Sequence, residues 1–210
     1  MMMGDLVVLE SEVAHVMDVL QKGGIEQTAL HNHLLGESPH VMYMHVSAQG
    51  TAPDLARTVR TALATTATPL QPPSPAQPSV FILDTVALNR TLRVGGKVNG
   101  GAYQISVPRR ETVRAMGHVI PPSMGVATAI NFQPTGDGRA AIAGDFVLRS
   151  SEVNPVIRVL QRNGIRVTAV HSHMLGEEPR LIFMHFWAND DAMKLARGLS
   201  AALDSTASVR

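Results

Sequence analysis

Thr28-Ala29-Leu30-His31-Asn32-His33-Leu34-Leu35-Gly36-Glu37 returns 140 positions later as Thr168-Ala169-Val170-His171-Ser172-His173-Met174-Leu175-Gly176-Glu177. The recurrence extends in both directions without a gap. Residues 4–67 align with residues 144–207, and about half of the positions are identical. Met44-His45 returns as Met184-His185, so each copy carries H-x-H, a Glu and a third His at one spacing. Core packing can preserve a hydrophobic period, but it has no reason to keep three imidazoles and a carboxylate in register.

Around this stretch the pattern reads as β-α-β-β-α. Leu6–Leu9 is a short apolar strand. Ser11 offers an N-cap hydroxyl to a helix whose apolar positions are Val13, Val16, Met17, Val19 and Leu20, and Gly23-Gly24 ends it. Gln27–Leu35 alternates as a strand, Gly36, Ser38 and Pro39 turn the chain, and Val41–Ser47 returns as the second arm of a hairpin. Asp54–Thr66 is a helix. The second copy gives a strand over Ala141–Leu148, a helix over Ser151–Asn163, strands over Arg166–Leu175 and Leu181–Trp187, and a helix over Asp191–Asp204. This is a ferredoxin-like order without its last strand. The expected fold class is α+β, with tandem ferredoxin-like (βαββα) repeats and antiparallel sheets. The two His-bearing faces are able to pack together as in dimeric α/β barrels.

The expected organisation is a first, truncated repeat over 1–67, a Pro-rich linker over 68–80 and a complete unit over 81–210. That unit divides into a front segment (81–140) and the second repeat (141–207). In the front segment, Ser79–Leu92 reads as a helix, Ala102–Val107 and Ala127–Gln133 as strands, and the paired glycines 95–96 and 100–101 as turns. The segment has no counterpart before the first copy, which leaves the sheet of repeat one with an unpaired edge and predicts self-association, or docking of repeat one onto the complete unit.

Composition removes several classes of function. The formal net charge is +1 with no long run of one sign, which is not the footprint of a nucleic-acid binder. Absence of cysteine excludes disulfides, thiolate metal sites and a Cys nucleophile. No apolar run approaches the roughly 20 residues of a membrane span. Met1-Met2-Met3-Gly4-Asp5 has neither a basic n-region nor an h-region. As given, the chain reads as cytoplasmic, or as secreted or envelope-bound if the true N-terminus lies upstream.

Strand alternation puts Ala29, His31, His33 and Leu35 on one face, and Tyr43, His45 and Ser47 on one face of the partner. A hairpin closed near Glu37–Pro39 places His45 opposite His31 or His33. Three imidazoles at cross-strand separations of roughly 4.5–5.5 Å can converge on one ion. The candidate metal ligands are His31, His33 and His45 in one copy and His171, His173 and His185 in the other. A divalent ion is expected, zinc foremost, with Mn, Fe, Ni or Cu compatible. Glu37 and Glu177 are the candidate catalytic carboxylates, since they alone stay in register with the histidines. Two readings remain open. One is a metal-binding protein, or a metal-dependent enzyme of unknown substrate. The other is a module whose histidine face binds a small ligand or an envelope component without metal.

Other features are weaker. Gly4-Asp5 and Gly144-Asp145 are duplicated. Glu12 and Glu152 are also duplicated, and they fall in a first helical turn, where a carboxylate meets the helix dipole favourably. His15, His40 and His118 are not repeated and read as surface residues. The glycine-rich 93–101 stretch lacks nucleotide-loop spacing. Arg109, Arg110 and Arg114 form the densest basic patch and read as solvated.

Gly96-Lys97-Val98-Asn99-Gly100-Gly101-Ala102-Tyr103-Gln104-Ile105-Ser106-Val107-Pro108-Arg109-Arg110, together with Gly144–Leu148, Glu152–Val156, Asn163–His173 and Met184-His185, resembles the LppY/LpqO family. That is a bacterial family known mainly as a domain of unknown function. The resemblance implies one complete unit over 81–207 and the back half of another over 1–67. It implies an envelope or secreted setting for some members and supplies no activity.

Overall fold

The computed structural model describes residues 1–72 and 81–210. Most of the Pro-rich linker expected over 68–80, and the start of the helix expected from Ser79, lie outside the described residues. The chain divides into two compact units. One is Met1–Ala76 with Ser172–Leu175, and the other is Gln77–His171 with Gly176–Arg210.

The first unit contains β1 (Met2–Leu9), a 3-10 turn at Glu10–Glu12, α1 (Val13–Lys22), β2 (Glu26–His31), β3 (Val41–Ala48) and α2 (Ala52–Leu63). Its sheet is antiparallel in the order β1-β3-β2. Val16 and Leu20, one turn apart on α1, bury with Leu55 and Ala62 of α2 against Val8, Met44 and Val46 of the sheet. The helix start differs from the Ser11 cap expected. Glu12 braces it instead, accepting from the Leu9 amide at 2.8 Å and from the Ala67 amide at 2.9 Å. One carboxylate thus ties the first helix to the chain beyond the second.

The second unit contains α3 (Thr85–Leu92), β4 (Gly96–Asn99), β5 (Ala102–Pro108), β6 (Val113–Ala115), β7 (His118–Ile120), β8 (Ala127–Gly136), β9 (Arg139–Leu148), α4 (Ser150–Arg162), β10 (Arg166–His171), β11 (Ile182–Asp191) and α5 (Ala192–Leu203). Asp84 caps α3, its carboxylate accepting from the amides of Val86 and Ala87, so that helix starts several residues later than expected. One six-stranded sheet runs β10-β11-β9-β8-β5-β4, and β6 and β7 form a small separate pair. Its core is built on Tyr103, Ile130, Phe132, Ile142, Phe146, Met184 and Phe186.

The mixed α+β class and the β-α-β-β-α order are observed. The finer expectation of two ferredoxin-like units forming a barrel-like pair is corrected on two counts. None of the sheets closes into a barrel. Nor is a ferredoxin fold duplicated: the first copy stops at three strands, while the second is continued by the front segment into the six-stranded sheet.

Like-for-like positions show what that continuation does. Among the described residues, β1 pairs with β3 alone, whereas β9 lies between β11 and β8. Val7 on β1 is 49% exposed, and its counterpart Val147 is 0% exposed. A Cβ on Gly4 would meet nothing within 4 Å, but one on Gly144 would lie 2.1 Å from the Ala129 carbonyl and 2.6 Å from the Phe186 ring. Only glycine fits where β8 and β9 come together.

The front segment is fastened by Arg109. Its guanidinium donates to the Val147 carbonyl and Glu152 Oε2 at 2.7 Å each, and to Glu111 Oε1 at 2.8 Å. Burial alone would lower the Arg109 pKa, but the bonds to Glu152 and Glu111 raise it instead. Glu152 also accepts from the amides of Arg149 and Ala207, repeating the brace of Glu12. The dipole reading of these two glutamates therefore understates them, because they hold three pieces of chain together.

The helix crossing is conserved by exchange. A Cβ on Gly23 would lie 2.2 Å from Thr58 Cγ2. In the second copy the small residue is on the other helix: Gly198 faces Asn163, at 2.7 Å from a notional Cβ to Asn163 Cβ. Each crossing keeps one glycine and one larger partner, as close packing requires.

Candidate metal centre

In the first unit, His31, His33 and His45 each offer a ring nitrogen within 4.8 Å of the others. The three are brought together by a different geometry from the simple hairpin. Ala29 faces His45 and His31 faces Tyr43, with a register shift further along, between Gln27 and Ala29. The expectation that His45 lies opposite His31 or His33 is thus corrected, because the hairpin closes through the long 32–40 connection between the two strands. The strand also ends at His31 rather than Leu35. His33 reaches the cluster from the irregular 32–35 segment, where Asn32 Nδ2 donates to the Leu34 carbonyl at 2.8 Å.

The rings of His31 and His45 are 5.0 Å apart and nearly parallel, and those of His31 and His33 are 5.2 Å apart. Tyr43 stacks on His33 at 3.3 Å. Burial pushes the His45 imidazole below its ordinary range, with the Asp5 charge working the other way. That favours the neutral ring, the form that ligates metal. Burial, then the charges of Glu37 and Asp5, push the Tyr43 phenol up.

His173 belongs to the 172–175 stretch of this first unit, although its sequence lies in the second copy. Its carbonyl accepts from Thr28 Oγ1 at 2.5 Å, and its ring lies 3.8 Å from that of His45. In the second unit, His171 and His185 stack at 4.9 Å, with one ring nitrogen of each within 4.8 Å of the other. His185 is 3% exposed. Its Nδ1 lies 3.1 Å from the Gly144 carbonyl, which can only accept. That contact suits a proton on Nδ1.

The duplicated Gly-Asp pair gains a place that sequence reasoning did not give it. Asp5 lies directly across the ladder from His45, and Asp145 directly across from His185. The Asp145 carboxylate is 3.9 Å from His185 Nδ1. The third histidine of each copy thus has a carboxylate beside it. The duplication was the signal, but it could be used only once β1 and β9 were known to flank the third-histidine strands.

The two candidate carboxylates of the hairpin turn differ. Glu177 is 5% exposed. Its Oε1 accepts from the Leu181 amide at 2.9 Å and its Oε2 from Arg180 Nη1 at 3.2 Å. Glu37 is half-buried, and its Oε1 is buried and accepts no hydrogen bond among the described residues. Of the unrepeated histidines, His15, His40 and His118 are exposed, and His40 sits 3.2 Å from Glu10.

The model of the family DUF1529, described as Domain of Unknown Function (DUF1259), matches residues 1–65 and 86–205. The chain belongs to that family. A single DUF1529 domain thus spans most of the chain, and this match overturns the resemblance to LppY/LpqO, with its one unit and a half. No curated protein matches the chain. Both histidine-bearing stretches of this DUF1529 member fall inside the matched residues. Among the described residues, no helix is long and apolar enough to cross a membrane.

Proposed function

We propose that this DUF1529 protein binds a divalent metal ion through His31, His33 and His45. The observation that carries the reading is the convergence of three ring nitrogens within 4.8 Å of one another. A nitrogen-only donor set suits borderline metals, zinc foremost among them. Burial that keeps His45 neutral, and an aspartate facing it across the ladder, are what a metal-ligating imidazole needs around it. His171 and His185 repeat two of the three positions, their rings stacked at 4.9 Å.

The test is Zn²⁺ titration into metal-stripped, tag-free protein beside His45→Ala. The reading expects saturable binding that is lost in the variant and that weakens as pH falls below about 6.5, the ordinary imidazole value, since His45 protonates below it. Equal uptake by parent and variant would contradict it. We further propose that the exposed β1 edge mediates association between copies of the chain. The supporting contrast is β1, paired among the described residues with β3 alone, against β9, paired on both sides by β11 and β8.

A further inference from the structure

The repeat puts Glu37 and Glu177 at the same place in two copies of one turn, yet their surroundings differ in every polar contact. Both oxygens of Glu177 are used. The Leu181 amide and Arg180 hold it in place, and its side chain is 0% exposed. Such a carboxylate is satisfied by the turn it closes.

In the first copy the bracing cation is missing. The residue aligned with Arg180 is His40, which sits beside Glu10 at 3.2 Å instead. Glu37 forms no ion pair or hydrogen bond with His40 or Val41 among the structure's contacts, and its Oε1 is closed off from solvent with no donor. A buried carboxylate oxygen without a donor is unfavourable, and the deficit is removed when a cation or a metal-bound water arrives. The Glu37 oxygens are not among the ligand atoms that lie within 4.8 Å of one another at His31, His33 and His45, so Glu37 would act through a water rather than as a fourth ligand. Its charge reaches the Tyr43 phenol. The Tyr43 ring lies 3.3 Å from His33 and 6.2 Å from His31. The second copy has Phe183 where the first has Tyr43, so it lacks a hydroxyl there.

From this asymmetry we infer that Glu37 is the carboxylate that serves the histidine site, contacting the water on a bound cation, and that Glu177 is a structural brace of its turn. The inference rests on the metal-binding reading above and divides the labour between the copies. The first copy's site is the one equipped to hold both an ion and a polarised water.

The experiment compares Glu37→Gln and Glu177→Gln in the full chain, each stripped of metal. Co²⁺ is titrated by its visible absorption, and thermal unfolding of the metal-free proteins is recorded alongside. Glu37→Gln is expected to weaken Co²⁺ binding about tenfold or more, the range for a group supporting a metal site. Its metal-free melting temperature should stay within about 2 °C of the parent or rise. Glu177→Gln is expected to do the reverse, lowering the melting temperature while its folded fraction binds Co²⁺ within about threefold of the parent. Parent-like Co²⁺ affinity in Glu37→Gln would overturn the inference. So would a melting temperature lowered by that substitution as far as by Glu177→Gln. A parent protein that takes up no Co²⁺ ends the metal reading and this inference together. Uptake that Glu37→Gln leaves unchanged ends this inference alone.

Discussion

Arg109→Ala should be among the most damaging single changes in the second unit. The Arg109 side chain is 1% exposed and spans two carboxylates and a backbone carbonyl. Breaking a buried ion pair by removing one partner costs about 3–5 kcal/mol, because the other charge stays buried. Two features place the loss toward the lower end. Glu152 keeps the Arg149 and Ala207 amides as donors at 2.7 and 2.8 Å. Glu111, 28% exposed, can rehydrate. The Val147 carbonyl, in contrast, loses its guanidinium donor on a fully buried residue. The expected loss is therefore about 3 kcal/mol. Urea unfolding followed by Trp187 fluorescence measures it, since the sole tryptophan lies on β11 of the same unit. Adding Glu152→Gln should recover part of the loss by removing the stranded charge. A loss below about 1 kcal/mol for Arg109→Ala would refute the claim that this residue fastens the front segment to the repeat.

Three further outcomes follow from the same contacts. Gly198→Ala drives a methyl into Asn163 and should cost about 1–3 kcal/mol, while pairing it with Asn163→Gly, the arrangement of the first copy, should restore most of that by the same urea assay. Val7→Pro should weaken self-association in sedimentation velocity while leaving thermal stability near the parent's. Val147 donates its amide to Thr128 on the β8 side, so the repeat aims the Val7 amide at the open edge. Burial opposes ionisation of Glu111, but its hydrogen bond to Arg109 wins and holds the pKa below the ordinary carboxylate value. A carboxylate depressed in the folded state stabilises above its unfolded pKa, and that contribution is lost as pH falls through the folded value. Thermal stability should therefore fall on acidification below about pH 4.5, less steeply in Glu111→Gln.

The repeat made the β-α-β-β-α order readable because α1 and α4 carry helical apolar spacing and β3 and β11 alternate. It also made the histidines readable as a group, since imidazoles kept in register have no packing explanation. Register was less accessible. β2 stops at His31 with His31 facing Tyr43, and nothing in the alternation of Gln27–Leu35 marks that early end or the bulge between Gln27 and Ala29. The strands β4, β6 and β7 escaped notice because they are three or four residues long, too short for a period-two pattern to show. Glu37 and Glu177 looked equivalent in sequence because the difference lies in Arg180 against His40, residues that matter only through what they touch. Arg109 read as solvated for the same reason, since its partners Val147 and Glu152 are about forty residues away.

The central claim is that His31, His33 and His45 hold a metal ion. Its most direct test is elemental analysis of tag-free protein dialysed against excess Zn²⁺ and then freed of unbound ion, with the His31→Ala/His33→Ala/His45→Ala protein beside it. The account predicts about one or more equivalents of zinc in the parent, and at least about one equivalent fewer in the triple variant. Parent zinc near zero, or zinc unchanged by the three substitutions, would contradict it.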